Sequence, residues 1–208
     1  MRNSNDNKSK LLKLLREKSV FFGSFKLSSG ATSNYYVDCK LTTLNPEGAL
    51  LVGQVLYEMI DEKASSLGIK IDAVGGVTMG ADPVALAIGM ASVKHNPHGY
   101  YEIFSVRKTA KTHGQNKLIE GNFQKGNHVV VIDDVVTRGD STLQAIQAVE
   151  QAGGSVEFVA VLVDRQEGGR EKIEGKGYAV VSAFSKNDLL NHDVAATKSE
   201  DRIYAPTG

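Results

Sequence analysis

Two adjacent carboxylates, Asp133 and Asp134, follow four consecutive β-branched residues, Val129-Val130-Val131-Ile132. After them comes Val135-Val136-Thr137-Arg138-Gly139-Asp140-Ser141-Thr142. Side chains of these types at this spacing can hold a phosphorylated sugar. Carboxylates accept hydrogen bonds from sugar hydroxyls or ligate a magnesium ion. A hydroxyl- and glycine-rich turn that opens a helix aims unpaired backbone N–H groups and the helix dipole at an anion. The same residue types also make an ordinary strand-ending turn, with Ser141 or Asp140 as a helix N-cap. The position of the acids favours the first reading, because two carboxylates beside so apolar a strand need something to compensate them. No Gly-x-x-x-x-Gly-Lys-Ser/Thr loop occurs here, and the strand does not lead into Gly-x-Gly-x-x-Gly, so a Walker loop and a dinucleotide site are disfavoured.

Three further segments can reach the same place. Gly75-Gly76-Val77-Thr78-Met79-Gly80-Ala81-Asp82-Pro83 follows a strand pattern and opens a helix, either as a plain connection or as a second anion nest. Two separated phosphate cradles suit a ligand with phosphates at both ends. Arg107-Lys108-Thr109-Ala110-Lys111-Thr112-His113-Gly114 begins a polar stretch lasting to Gly121. Such a run is ordinarily a solvated loop; beside an anion site it reads as a lid that carries positive charge to a polyphosphate, with Gly114 and Gly121 as bending points. Asp164-Arg165-Gln166-Glu167-Gly168-Gly169 follows another apolar strand, and Arg165 there can fork onto a carboxylate or imide of a planar substrate, or simply form a surface ion pair.

The elements that must position these groups alternate. Ser9 precedes Leu11, Leu12, Leu14 and Leu15, a short amphipathic helix with a candidate cap. Strands are expected at 35–38, 71–77, 101–106, 129–132, 156–163 and 178–182. Helices are expected from Asn45-Pro46-Glu47 to Gly68, over 81–93 and over 143–151. This order predicts an α/β fold, an open, mostly parallel central sheet flanked by helices, with ligands beyond the carboxyl ends of the strands.

The chain has 208 residues, enough for one substantial core, and 24 basic against 24 acidic residues. Zero formal charge argues against a protein that tracks a nucleic-acid backbone. The single cysteine, Cys39, has no internal partner, which favours a reducing, cytoplasmic setting and a structural thiol. No apolar stretch approaches membrane-spanning length. His95, His98, His113, His128 and His192 lack the spacing of metal ligands, which disfavours a metal hydrolase.

The run from Val129 to Thr142 resembles the phosphoribosyl-pyrophosphate signature of type I phosphoribosyltransferases. Arg107-Lys108-x-x-Lys111-x-His113-Gly114, Ser24 to Asp38 and Asp164-Arg165-Gln166-Glu167 resemble segments of the orotate phosphoribosyltransferases, over roughly Phe21 to Gly169. The resemblance implies the type I fold, with residues 1–45 as a small N-terminal hood, 46–196 as the core and 197–208 as a flexible tail. It implies transfer of ribose 5-phosphate from phosphoribosyl pyrophosphate (PRPP) to orotate, with Mg²⁺, in pyrimidine synthesis. It also implies a cytoplasmic homodimer that shares the catalytic loop between chains, with no nucleic-acid or membrane partner. By the same resemblance, Lys111, Asp133 and Asp134 are the catalytic groups. Thr137, Arg138, Gly139, Asp140 and Ser141 would wrap the 5′-phosphate, and Val135 and Val136 would also belong to the PRPP site. Arg107, Lys108, Lys111, His113, Thr78 and Met79 would engage the pyrophosphate. Thr137 and Arg165 would contact orotate, beside Tyr35 or Tyr36, and the metal would be held mainly by substrate, with Asp133 or Asp134 as the protein ligand. Ser28 stands where some members carry lysine. A purine transferase of the same fold and a non-catalytic PRPP sensor are the competing readings; the sensor would need a basic face, and it would be free to lose the 107–113 cluster, which is intact.

Overall fold

A computed structural model of the chain describes residues 2–26, 32–95, 99–109 and 118–191. The elements run α1 (Arg2–Ser19), β1 (Val20–Lys26), β2 (Thr32–Val37), α2 (Lys40–Thr43), α3 (Pro46–Leu67), β3 (Ala73–Val77) and α4 (Ala81–His95). They continue β4 (Glu102–Val106), β5 (Ile119–Gly121), β6 (His128–Val136), α5 (Asp140–Gln151), β7 (Ser155–Asp164), α6 (Gly169–Glu174), β8 (Val180–Ser185) and α7 (Lys186–Leu190). The main sheet has the order β5-β4-β3-β6-β7-β8 and is parallel except for β5, which runs against β4. The antiparallel pair β1–β2 forms a separate two-stranded sheet, the N-terminal hood.

Period-two alternation in β6 sorts its residues onto two cores. Val130 and Ile132 face a cluster with Leu11 and Leu15 of α1, Val52 and Leu56 of α3, and Val84 and Ile88 of α4. Val129 and Val131 face the opposite cluster with Ala145, Ile146 and Val149 of α5 and Ile173 of α6. All four are essentially inaccessible, and each such side chain contributes about 1.5–3 kcal/mol by its removal from water. A strand buried on both faces is what an unbroken β-branched run requires.

Helix α3 starts and stops as its sequence directs. Asn45 Oδ1 accepts the Gly48 N–H at 3.1 Å, Pro46 occupies the first turn, and Gly68 closes the helix in the left-handed region at φ 66°. Elsewhere the structure corrects the expectations. β6 does not stop at Ile132: its ladder with β7 continues through Asp133↔Val161 to Val136↔Asp164, so the acids lie within the strand. α1 begins at Arg2, which leaves Ser9 inside the helix and not at its cap. The N-cap of α5 is Gly139 at φ 77°, not Ser141 or Asp140. Residues 119–121 of the expected loop form β5, and Gly121 is fixed there, because a side chain on it would come within 2.5 Å of the Ile103 carbonyl. The last strand lies at 180–185, and β1, α2, α6 and α7 were not expected. Gly75 and Gly76 are not turn residues but lie in β3, where a Cβ would meet Phe104 O at 2.1 Å and Ile132 O at 1.9 Å. The tail from residue 197 lies outside the described residues.

Candidate active site at the carboxyl rim of the sheet

Asp133 and Asp134 project from adjacent positions of β6 and are 6% and 9% exposed. Asp133 Oδ2 accepts the hydroxyls of Ser141 and Thr142, each at 2.9 Å, which ties the strand to the first turn of α5. Its Oδ1 accepts the Asp134 N–H at 3.1 Å. Burial raises the pKa of Asp133 to about 7, and the neighbouring Asp134 charge adds to the rise, while the two hydroxyls oppose it. Burial also raises Asp134, but the Lys40 ammonium works against that rise. Lys40 comes from α2 and pairs with Asp38 at 2.8 Å.

The glycine-bearing loop after β3 closes on this pair. A Cβ at Gly80 would lie 2.5 Å from Asp134 Oδ1, so only glycine lets the loop sit this close. Thr78 and Met79 are joined by a cis peptide. The loop is fixed by Asp82 in the first turn of α4, whose two carboxylate oxygens accept the Thr78 and Ser105 hydroxyls at 2.6 and 2.7 Å. On the other side, Val135 and Val136 complete β6, Thr137 is half-buried, and Arg138 and Asp140 are exposed. Lys172 of α6 meets Asp140 at 2.5 Å. Gly169 N–H donates to Thr137 O at 2.9 Å, which braces the Thr137–Ser141 turn against the loop after β7.

That loop carries Arg165, whose backbone N–H donates to Val136 O at 3.0 Å. Thr137 and Arg165 are thus neighbours at the rim. The guanidinium sits 5.4 Å from the centroid of the Tyr35 ring, and its Nη2 lies 3.4 Å from the Tyr35 hydroxyl. Between the two tyrosines the structure selects Tyr35 as the one beside Arg165. Arg107 pairs with Glu120 of β5 at 2.9 Å, and Gln144 of α5 donates to the Lys108 carbonyl at 3.0 Å. Lys111 and His113 lie outside the described residues, as does Ser28. The structure therefore gathers the 133–141 run, Thr78, Met79, Arg107, Lys108 and Arg165 at one edge. Lys40, Asp82 and Gln144 also stand there and were given no role from the sequence; Lys40 acts on Asp134 electrostatically, and Asp82 holds Thr78 and Ser105. Cys39 is buried at its base, and burial pushes its thiol well above the usual range.

The sequence of the phosphoribosyl transferase domain matches residues 43–189. Orotate phosphoribosyltransferase of Aquifex aeolicus is 43% identical over 185 residues, covering 87% of this chain and 96% of that one. The chain belongs to the orotate phosphoribosyltransferase family. Family members also share its three-dimensional form. Mycobacterium tuberculosis orotate phosphoribosyltransferase in complex with Fe(III) dicitrate superposes with a TM-score of 0.74 at 39% identity, covering 88% of this chain and 98% of that one. The same enzyme in complex with PRPP gives 0.68 at 33% identity, covering 88% and 92%.

Proposed function

We propose that this chain transfers the 5-phosphoribosyl group from PRPP to orotate, giving orotidine 5′-monophosphate and pyrophosphate in pyrimidine biosynthesis. The observation that carries this reading is the buried pair Asp133 and Asp134, set between two loops suited to phosphate. Ribose hydroxyls donating to these carboxylates would relieve their desolvation. The turn from Thr137 to Ser141, with the N-terminus of α5, suits the 5′-phosphate. Thr78 and Met79 face the other end of the sugar, together with Arg107, Lys108 and, by family resemblance, Lys111 and His113. Arg165 and Thr137 would hold orotate beside Tyr35.

Breaking the bond from C1′ to pyrophosphate leaves the ribosyl centre oxocarbenium-like. The acidic pair would help stabilise that positive charge electrostatically, while Arg107 and Lys111 offset negative charge on the departing pyrophosphate. Magnesium fits this donor set. Among the described residues no three His, Cys, Asp or Glu side chains converge, but magnesium is commonly held by one or two carboxylates plus substrate phosphates. Asp133 or Asp134 would be the protein ligand, and the ion's contribution when bound is charge neutralisation at the diphosphate. A homodimer is supported by the exposed Leu86, Met90 and Val93, which recur on one face of α4, and by exposed Leu50 on α3. A cytoplasmic location is supported by the lone buried thiol; among the described residues no helix is long and apolar enough to cross a membrane.

The test is direct. With PRPP and magnesium, orotate absorbance should fall as pyrophosphate appears, while adenine, guanine and uracil remain unconsumed, and EDTA should stop the reaction. Consumption of another base in place of orotate would overturn the assignment.

A further inference from the structure

A single carboxylate ties together the two segments that would meet a diphosphate. Asp82 stands in the first turn of the 15-residue helix α4, a place where an acid ordinarily serves only the helix dipole. Here both of its oxygens are engaged from outside the helix. Oδ2 accepts the Thr78 hydroxyl at 2.6 Å, and Oδ1 accepts the Ser105 hydroxyl at 2.7 Å. Thr78 begins the loop after β3, and its N–H donates to Val106 O at 2.9 Å. Ser105 lies on β4, opposite Gly76 in the ladder and two residues before Arg107. The other side of the loop is limited by Asp134, because a Cβ at Gly80 would come within 2.5 Å of Asp134 Oδ1. The loop is thus held between the acid pair and a hydroxyl–carboxylate–hydroxyl bridge to the strand that leads into Arg107.

We infer that Asp82 is a positioning residue for the diphosphate of PRPP, one that sets the separation between the loop at 78–80 and Arg107. This rests on the reading of the site given above. A diphosphate must meet the loop and the guanidinium at once, so their spacing decides how many of its contacts form together. Two hydroxyls converging on one carboxylate make charge-assisted bonds, which are stronger than bonds between neutral groups. They hold the loop at one distance from the strand. A carboxylate repels a phosphate anion, so any gain in PRPP affinity that Asp82 brings passes through the groups it holds.

Orotidine 5′-monophosphate carries the same ribose 5-phosphate but no diphosphate, so it reports on the rest of the site. The measured quantities are the Kd of PRPP and the Kd of orotidine 5′-monophosphate, by calorimetry with magnesium present, in wild type and variants whose folding is checked by circular dichroism. Asp82→Ala is expected to weaken PRPP about tenfold and to leave orotidine 5′-monophosphate within about twofold. Asp82→Asn can accept from one hydroxyl and donate to the other, so both constants should stay within about threefold of wild type. Ser105→Ala should weaken PRPP in the wild-type background but add less than about twofold to Asp82→Ala, because its hydroxyl acts through the carboxylate. A PRPP loss below about threefold in Asp82→Ala, an equal loss for orotidine 5′-monophosphate, an Asp82→Asn as weak as Asp82→Ala, or a Ser105→Ala effect undiminished without Asp82 overturns the proposal. Should Asp82→Ala not fold, Ser105→Ala carries the comparison of the two ligands. The wild type separates the two failures: if it binds no PRPP, the reading of the site falls and takes this role with it; if it binds PRPP and Asp82→Ala binds it as well, only the role of Asp82 falls.

Discussion

The two ends of the same parallel sheet treat charge in opposite ways. At the amino end, Asp72 pairs with Lys70 at 3.5 Å and also accepts the His128 N–H, while His128 pairs with Glu157 at 2.7 Å. These groups are substantially wet, with Lys70 77% and His128 54% exposed. At the carboxyl end, Asp133 and Asp134 are nearly inaccessible, and burial raises the pKa of both. One end is complete as it stands, and the other is electrostatically incomplete without a ligand. Perturbed carboxylates of this kind mark sites where a binding partner does the compensating.

The largest effect should come from breaking the incomplete end. Asp134→Ala is expected to lower kcat about 100- to 1,000-fold, the size seen when one well-placed charge contact is lost, with the far-ultraviolet circular dichroism spectrum unchanged. Steady-state kinetics in both substrates checks this, and a loss of less than about tenfold would remove Asp134 from the chemistry.

A middle effect concerns pH. The folded-state pKa of Asp133 is about 7, above the ordinary carboxylate value of 3.8 that applies when unfolded. The unfolded chain therefore holds fewer protons between those values, so this group's contribution to stability is full below about pH 4 and is lost as pH rises through about 7. The melting temperature of the ligand-free protein should fall across that window, and Asp133→Asn should flatten the fall. Parallel slopes in wild type and variant would contradict the assignment. The smallest effect belongs to the complete end. Glu157→Gln is expected to change unfolding free energy by no more than about 0.5 kcal/mol and to leave kcat/KM within about twofold. Urea denaturation and the orotate assay would sharpen the contrast between the ends.

Much of this arrangement is legible in the chain because local chemistry and the fold agree. Val129 to Ile132 could only be a strand covered on both faces, and Asn45-Pro46 with Gly68 bounds a helix at both ends. Where sequence reading fails, partners from far away in the chain decide. Ile119 to Gly121 is too short to declare itself and is a strand only because β4 offers an edge. Asp133 and Asp134 look like a terminus, yet the ladder with Val161 and Val163 carries β6 past them. Of the site, the acid pair, the Thr137–Ser141 turn and Arg165 are readable from type and spacing. Asp82 is not, because its meaning comes from Ser105 on the neighbouring strand, and neither is Lys40, whose charge matters only because the fold brings it within electrostatic reach of Asp134.

The short strand β5 has a consequence for how the enzyme can evolve. Arg107 N–H donates to Leu118 O at 2.8 Å, immediately beside the Val106↔Ile119 pair, so β4 and β5 are tied together at one closed point. A change of chain length between the two anchor residues leaves in place the bonds that fix both ends to the β-sheet.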